Sequence, residues 1–267
     1  MDLGLAGATA VVTGGSKGMG FAIAETLASE GASVAIMARD QQGLDTAVDS
    51  LQKAGGAEAM GISVDMADAA SISAGFAQVS ERWGALNSLV HTIGPSDGYF
   101  EQMDDSDWEA AFTLGTMSAV RSVRAALPML RKAKWARIVT LAAHSIQRQN
   151  PRIVAYTASK AALSSVTKNL SKSLAVDHIL VNCVCPGTIV TASFTEQLKD
   201  VLAADGLDAA DPIDVMTWIN THFHQPCDLG RAGLPEEIAS MTAYLASKRN
   251  GYVTGATINV DGGSDFV

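Results

Sequence analysis

The stretch ATAVVTGGSKGMGFAIAETLASE, residues 8–30, decides the fold. A β-like run at 8–13 breaks off at glycines and gives way to a helical pattern at 18–30, with Gly14, Gly18 and Gly20 at G-x-x-x-G-x-G spacing. A strand-to-helix turn needs residues without Cβ at these points if backbone N–H groups and the helix N-terminus are to approach a pyrophosphate. Ser16, Lys17 and Met19, inside the same turn, are expected to share the contact. A tight turn with no ligand is the plainer alternative, and the strand-before, helix-after context argues against it.

The same alternation continues along the chain. Strands are expected at 33–38, 58–64, 86–92, 136–142, 179–185 and 256–260, with helices near 41–54, 69–83, 105–131, 154–176 and 235–246. Seven strands separated by helices imply an α/β fold: a Rossmann-type, doubly wound seven-stranded parallel sheet in a single domain over residues 1–267. The least regular part, 192–231, reads as helical pieces such as SFTEQLKDVLAA and DPIDVMTWINTHF. An excursion of that length at the carboxyl end of a parallel strand is where a substrate lid is expected, with a plain surface insertion as the alternative.

Composition limits the partners. The chain has 267 residues, is 48% hydrophobic and carries a net charge of -9 with no Lys/Arg run, so neither nucleic acid nor a membrane surface is an expected partner. The N-terminus lacks a basic region and a long apolar stretch, so no signal peptide or membrane span is expected. Cys183, Cys185 and Cys227 form no disulfide framework. Cys183 and Cys185 are expected on opposite faces of a strand, unbridged, which suits a cytoplasmic, reduced protein.

At the end of the second strand, where an acidic residue would bind an adenosine ribose, the sequence has Ala38 and then Arg39. A carboxylate there would repel a 2′-phosphate, whereas an arginine grips it, and Lys17 adds a second charge. NADP(H) is therefore expected over NAD(H), with Asp40 as the contrary sign and a merely solvated Arg39 as the alternative.

With the glycine turn, Tyr156-x-x-x-Lys160 and PGTIVT at 186–191 in this order, the chain resembles the short-chain dehydrogenase/reductase family from Leu5 to Gly263. Asn182 and VTGATINVDGG at 253–263 add to the resemblance. It implies an oxidoreductase that interconverts a ketone and a secondary alcohol, with Tyr156 as general acid/base and Lys160 favouring its phenolate and holding the nicotinamide ribose. It further implies cofactor contacts from Asp65 and Met66 after the third strand, from Gly94, and from Pro186, Gly187, Ile189 and Thr191. A homotetramer or homodimer is implied as well. A small-molecule substrate is expected, and Met216, Trp218 and Phe223 in the presumed lid favour a hydrophobic one, although such residues are as often plain packing.

Three positions depart from the family pattern. The substrate-orienting serine is expected thirteen residues before the tyrosine, which falls on Ala143, so Ser145 is assigned the role, with an unfilled role or His144 as the alternatives. Gly115 stands where an asparagine is usual, seven residues after Trp108, and HTIG at 91–94 replaces N-N-A-G. These departures support a second reading, a catalytically weak NADP(H)-binding sensor or scaffold. An enoyl-reductase role is disfavoured, because that branch spaces Tyr and Lys farther apart. His91 reads as a hydrogen-bonded structural histidine, with a binding role near the cofactor as the alternative, and His222, His224 and Cys227 as too few ligands for a metal site; no metal is expected.

Overall fold

A computed structural model describes residues 2–55, 57–95 and 98–264. Seven parallel strands, β1 (Thr9–Thr13), β2 (Ser33–Ala38), β3 (Ala59–Ser63), β4 (Ser88–His91), β5 (Ala136–Leu141), β6 (Ile179–Pro186) and β7 (Thr257–Val260), form one sheet in the order β3-β2-β1-β4-β5-β6-β7. Both faces are covered, which is why the strands read as near-continuous apolar runs. Alternation within a strand sends neighbours to opposite layers: Val12 packs with Ile23, Leu27 and Ile238 of helices α1 (Gly18–Ser29) and α9 (Pro235–Ala246). Val11 packs on the other face with Phe76 of α3 (Ala69–Trp83) and Leu130 of α5 (Ser118–Lys132).

Chain order reverses across β1, which lies between β2 and β4. A crevice at such a switch point, beyond the carboxyl ends of the strands, is where a doubly wound sheet receives a ligand. Helix α2 (Gln41–Lys53) follows β2, with Asp40 as N-cap: its carboxylate accepts from the Gly43 N–H at 2.9 Å.

The helix expected at 105–131 is broken. Between α4 (Asp105–Phe112) and α5, residues Thr113–Met117 widen into one π turn centred on Gly115. Helix α6 (Val154–Ser173) lies against this turn, and Thr116 Oγ1 donates to the Ser159 carbonyl at 2.7 Å.

The excursion at 192–231 carries α7 (Ala192–Ala204) and α8 (Pro212–Phe223), the latter capped by Asp211 and started by Pro212. These helices build a small apolar core of their own around Leu202, Val215, Met216 and Trp218. Met216 and Trp218 therefore have a packing role in this small core.

The cysteines require a correction. Cys183 and Cys185 lie two apart on β6, and a period of two puts them on the same face, both fully buried beside Ala142. All three cysteines are free thiols.

Candidate active site

The glycine turn has the geometry a phosphate cradle needs. Gly14 and Gly18 have φ of +73° and +56°, values that a side chain disfavours. A Cβ on Gly20 would overlap the Gly14 carbonyl, and one on Gly15 would come within 2.6 Å of Ile36 Cγ2. Backbone thus approaches backbone, at the end of α1 whose opening amides have no partner within the helix. Lys17 is the N-cap of α1, makes no side-chain cap bond and is exposed, while Ser16 is half-buried. Met19 packs against the core, so its expected contact falls to its backbone.

A cavity of about 440 Å³ opens between this turn and α2, lined by Ser16, Lys17, Asp40 and Gly43 among others. Arg39 is exposed just past the carboxyl end of β2, and the Asp40 carboxylate is committed to capping α2. Asp65 is exposed, and its Oδ1 accepts from the Ala67 N–H. Met66 is buried in the core, which leaves only its backbone for a ligand.

Tyr156 and Lys160 lie one turn apart on α6, with the Lys160 ammonium 5.9 Å from the Tyr156 ring centre. Lys160 is buried, and its Nζ donates at 2.7 Å to the carbonyls of Ile93 and Leu141, at the ends of β4 and β5. An ammonium has three protons, so one remains for a further acceptor. Burial lowers the Lys160 pKa to about 8, and the neighbouring Cys183 and Cys185 thiols oppose the fall. The hydrogen bond between those thiols draws Cys183 down and pushes Cys185 up.

Ser145 is buried in a short 3₁₀ turn after β5, and Ala143 precedes that turn in extended backbone. The Thr157 hydroxyl, one residue past Tyr156, donates to Ser145 Oγ at 3.1 Å. A hydroxyl that accepts one bond still has a proton to give. Beside it, His144 Nδ1 is 3.2 Å from the Pro186 carbonyl.

Gly94 lies against Tyr156: a Cβ there would be 3.6 Å from Tyr156 Cε2. The rest of HTIG is structural. Thr92 Oγ1 donates to the Thr13 carbonyl at 2.6 Å, and His91 is fully buried between Thr13 Oγ1 at 2.9 Å and Ser118 Oγ at 3.0 Å. Burial, with a smaller push from Lys160, lowers the His91 pKa to about 3 and keeps the ring neutral.

In PGTIVT, Gly187 packs on the tail, where a Cβ would come 2.8 Å from Asp261 Cα. Ile189 pairs in a bridge with Gly233, and Thr191 caps α7 while its methyl lies near Gly18. Asn182 ties β6 to the tail, donating to the Val253 carbonyl and accepting from the Ala256 N–H.

His222 pairs with Asp205 at 3.0 Å, and Cys227 Sγ donates to the Gly262 carbonyl. Among the described residues no cluster of three or more metal-ligating side chains occurs. No helix among them is long and apolar enough to cross a membrane.

Several residues escaped the sequence reading. Gly15 was readable from the double glycine, and its need follows from Ile36. Arg148, which donates to the carbonyls of His224 and Ser264, and Arg152, which lies over Phe223, had no local signal. Their partners lie some seventy or more residues away.

Comparisons with known proteins agree with this fold. A family model described as enoyl-(acyl carrier protein) reductase matches residues 14–265. The chain is 33% identical over 262 residues to 3-oxoacyl-(acyl-carrier-protein) reductase FabG of Escherichia coli strain K12, covering 98% of each. It is 32% identical over 259 residues to dehydrogenase/reductase SDR family member 4 of Caenorhabditis elegans, covering 96% of this chain and 95% of the relative. Among solved structures, L-sorbose reductase from Gluconobacter frateurii, complexed with NADPH and L-sorbose, superposes with a TM-score of 0.92 at 30% identity over 100% of each chain. The chain belongs to the short-chain dehydrogenase/reductase family of oxidoreductases.

Proposed function

We propose that the protein is an NADP(H)-dependent carbonyl reductase that interconverts a ketone and a secondary alcohol. The observation that carries this reading is the buried Lys160 one helical turn from Tyr156, beside a glycine cradle built for a pyrophosphate. The nicotinamide supplies or accepts the hydride. Tyr156 gives a proton to the carbonyl oxygen in reduction and takes it back in oxidation. A free tyrosine, with a pKa of ~10, is too weakly acidic for this at neutral pH, and the Lys160 charge favours its phenolate. Ser145 Oγ, buried beside Thr157, serves as a second donor to the developing alkoxide.

Preference for NADP(H) is supported by Arg39 and Lys17, both exposed cations, and by the commitment of Asp40 to the α2 N-cap. The NADPH found with the L-sorbose reductase points the same way. Cofactor contacts are assigned to Gly14, Ser16, Lys17, Gly18, Met19, Gly20, Arg39, Asp65, Met66, Gly94, Tyr156, Lys160, Pro186, Gly187, Ile189 and Thr191. Helices α7 and α8 act as the substrate lid, and the protein works as a homodimer or homotetramer in the cytoplasm. The Tyr-x-x-x-Lys spacing favours carbonyl over enoyl reduction.

Substrate size and polarity divide the relatives, from a 3-oxoacyl thioester carrier to a keto sugar. The test is NADPH oxidation against a panel spanning 3-oxoacyl esters, keto sugars and aromatic ketones. Turnover of at least one class is expected. Tight NADPH binding with no turnover of any would favour the sensor reading that Gly115 and the displaced serine first raised.

A further inference from the structure

We propose that Arg152 is a specificity-determining residue that selects substrates bearing a carboxylate or phosphate near the reacting carbonyl; this rests on the carbonyl-reductase reading. Arg152 lies two residues before α6 and four before Tyr156, in the loop that also carries Ser145. Its guanidinium sits 4.2 Å from the Phe223 ring centre and 5.7 Å from that of Tyr99. Phe223 ends α8, and Tyr99 follows the Gly94 segment, whose Gly98 carbonyl accepts from the Val154 N–H at the start of α6. Three chain segments therefore meet around this one cation, next to the turn that carries Tyr156.

The chemistry of the site is that of an anion receptor waiting for its anion. Arg152 is exposed, and among the described residues no carboxylate pairs with it and no group accepts a hydrogen bond from its side chain. Arg148, four residues earlier, is different: its donors are spent on the carbonyls of Ser264 and His224, which makes it a structural tie. Aromatic faces fix the position of a guanidinium while leaving its in-plane N–H fork open, and that fork matches a carboxylate or phosphate in two parallel bonds. The charge also has the wrong sign for helix stability. A cation ahead of a helix N-terminus opposes the dipole, so α6 gains nothing from it. In a chain of net charge -9, an exposed, unpaired cation four residues before Tyr156 attracts anions against the background field.

Calorimetric binding to the NADPH-loaded protein tests the assignment with two matched pairs, acetoacetate against methyl acetoacetate and fructose 6-phosphate against fructose. At least one anion is expected to bind about tenfold more tightly than its neutral partner, the worth of one charge-assisted contact at a partly wet site. The pair that responds tells carboxylate from phosphate. Arg152→Gln should bring that ratio close to one, and Arg152→Lys should keep part of it. A merely structural role for Arg152 would weaken acid and neutral partner together and leave the ratio unmoved. Equal binding within both pairs by the wild type, or a preference that survives Arg152→Gln, overturns the proposal. Because binding needs no hydride transfer, a protein that prefers the anion yet reduces no ketone would refute the reductase reading and leave only the anion site at Arg152 standing.

Discussion

Gly115 and Ser159 pack so closely that no side chain fits between them: a Cβ on Gly115 would overlap Ser159 Oγ and lie 2.7 Å from Ser159 Cβ. The π turn at Thr113–Met117 and the hydrogen bond from Thr116 to the Ser159 carbonyl hold the two helices at this distance. The asparagine usual at this position in the family is thus excluded by the neighbour of Lys160, and the departure at Gly115 is a packing solution.

Gly115→Ala should therefore destabilise the fold by about 1–3 kcal/mol through overpacking. Ser159→Gly in the same chain should recover most of the loss. Denaturant unfolding of the two single variants and the double variant measures the coupling; additive effects would show that the two residues do not share the space.

Lys160 carries its charge only below about pH 8, because burial disfavours the ammonium. Above that value the amine is neutral and no longer favours the Tyr156 phenolate. Reductive turnover should consequently decline as pH rises through 8, with NADPH saturating throughout. A rate that holds level to pH 10 would place the ionising group elsewhere.

His91 should make the protein acid-sensitive. Its folded pKa is lowered to about 3, whereas an unfolded histidine takes a proton near 6.5, so between these values the unfolded chain binds more protons. Stability is fully present above the unfolded value and falls as pH drops, by about 2–3 kcal/mol between pH 6.5 and 4.5. His91→Asn should flatten that part of the profile in thermal melts. If wild type and variant lose stability equally over this range, His91 is not the group responsible.

Arg39 and Lys17 should each contribute to NADPH affinity through the 2′-phosphate. Arg39→Ala is expected to weaken NADPH binding about tenfold and leave NADH binding nearly unchanged, the signature of one lost charge-assisted contact. Fluorescence titration with both cofactors separates this from general damage to the site, which would weaken both alike.

Most of the architecture was readable in the sequence because parallel strands buried on both faces are continuous apolar runs with glycine or proline punctuation. The glycine turn and Tyr156–Lys160 were readable for a similar reason: both are local patterns. The π turn was not, since it follows from Ser159 pressing on Gly115 across the fold. Apolar residues at helical spacing over 212–223 left lid and packing both open, and Met216 and Trp218 close a small core of their own. The cysteine pair was misjudged against a rule the sequence itself obeys, that residues two apart on a strand share a face. Ser145 and Arg152 lie in an irregular loop, and only their contacts with Thr157, Tyr99 and Phe223 say where they sit.

Proton transfer by Tyr156 is the step on which the proposed function depends, and Tyr156→Phe isolates it, since the ring and its packing remain while the proton is removed. NADPH oxidation with the best ketone of the panel should fall by about 10²–10⁴-fold, the range for loss of a general acid, while NADPH still binds. Retained turnover in this variant would contradict the assignment of Tyr156 as the proton donor.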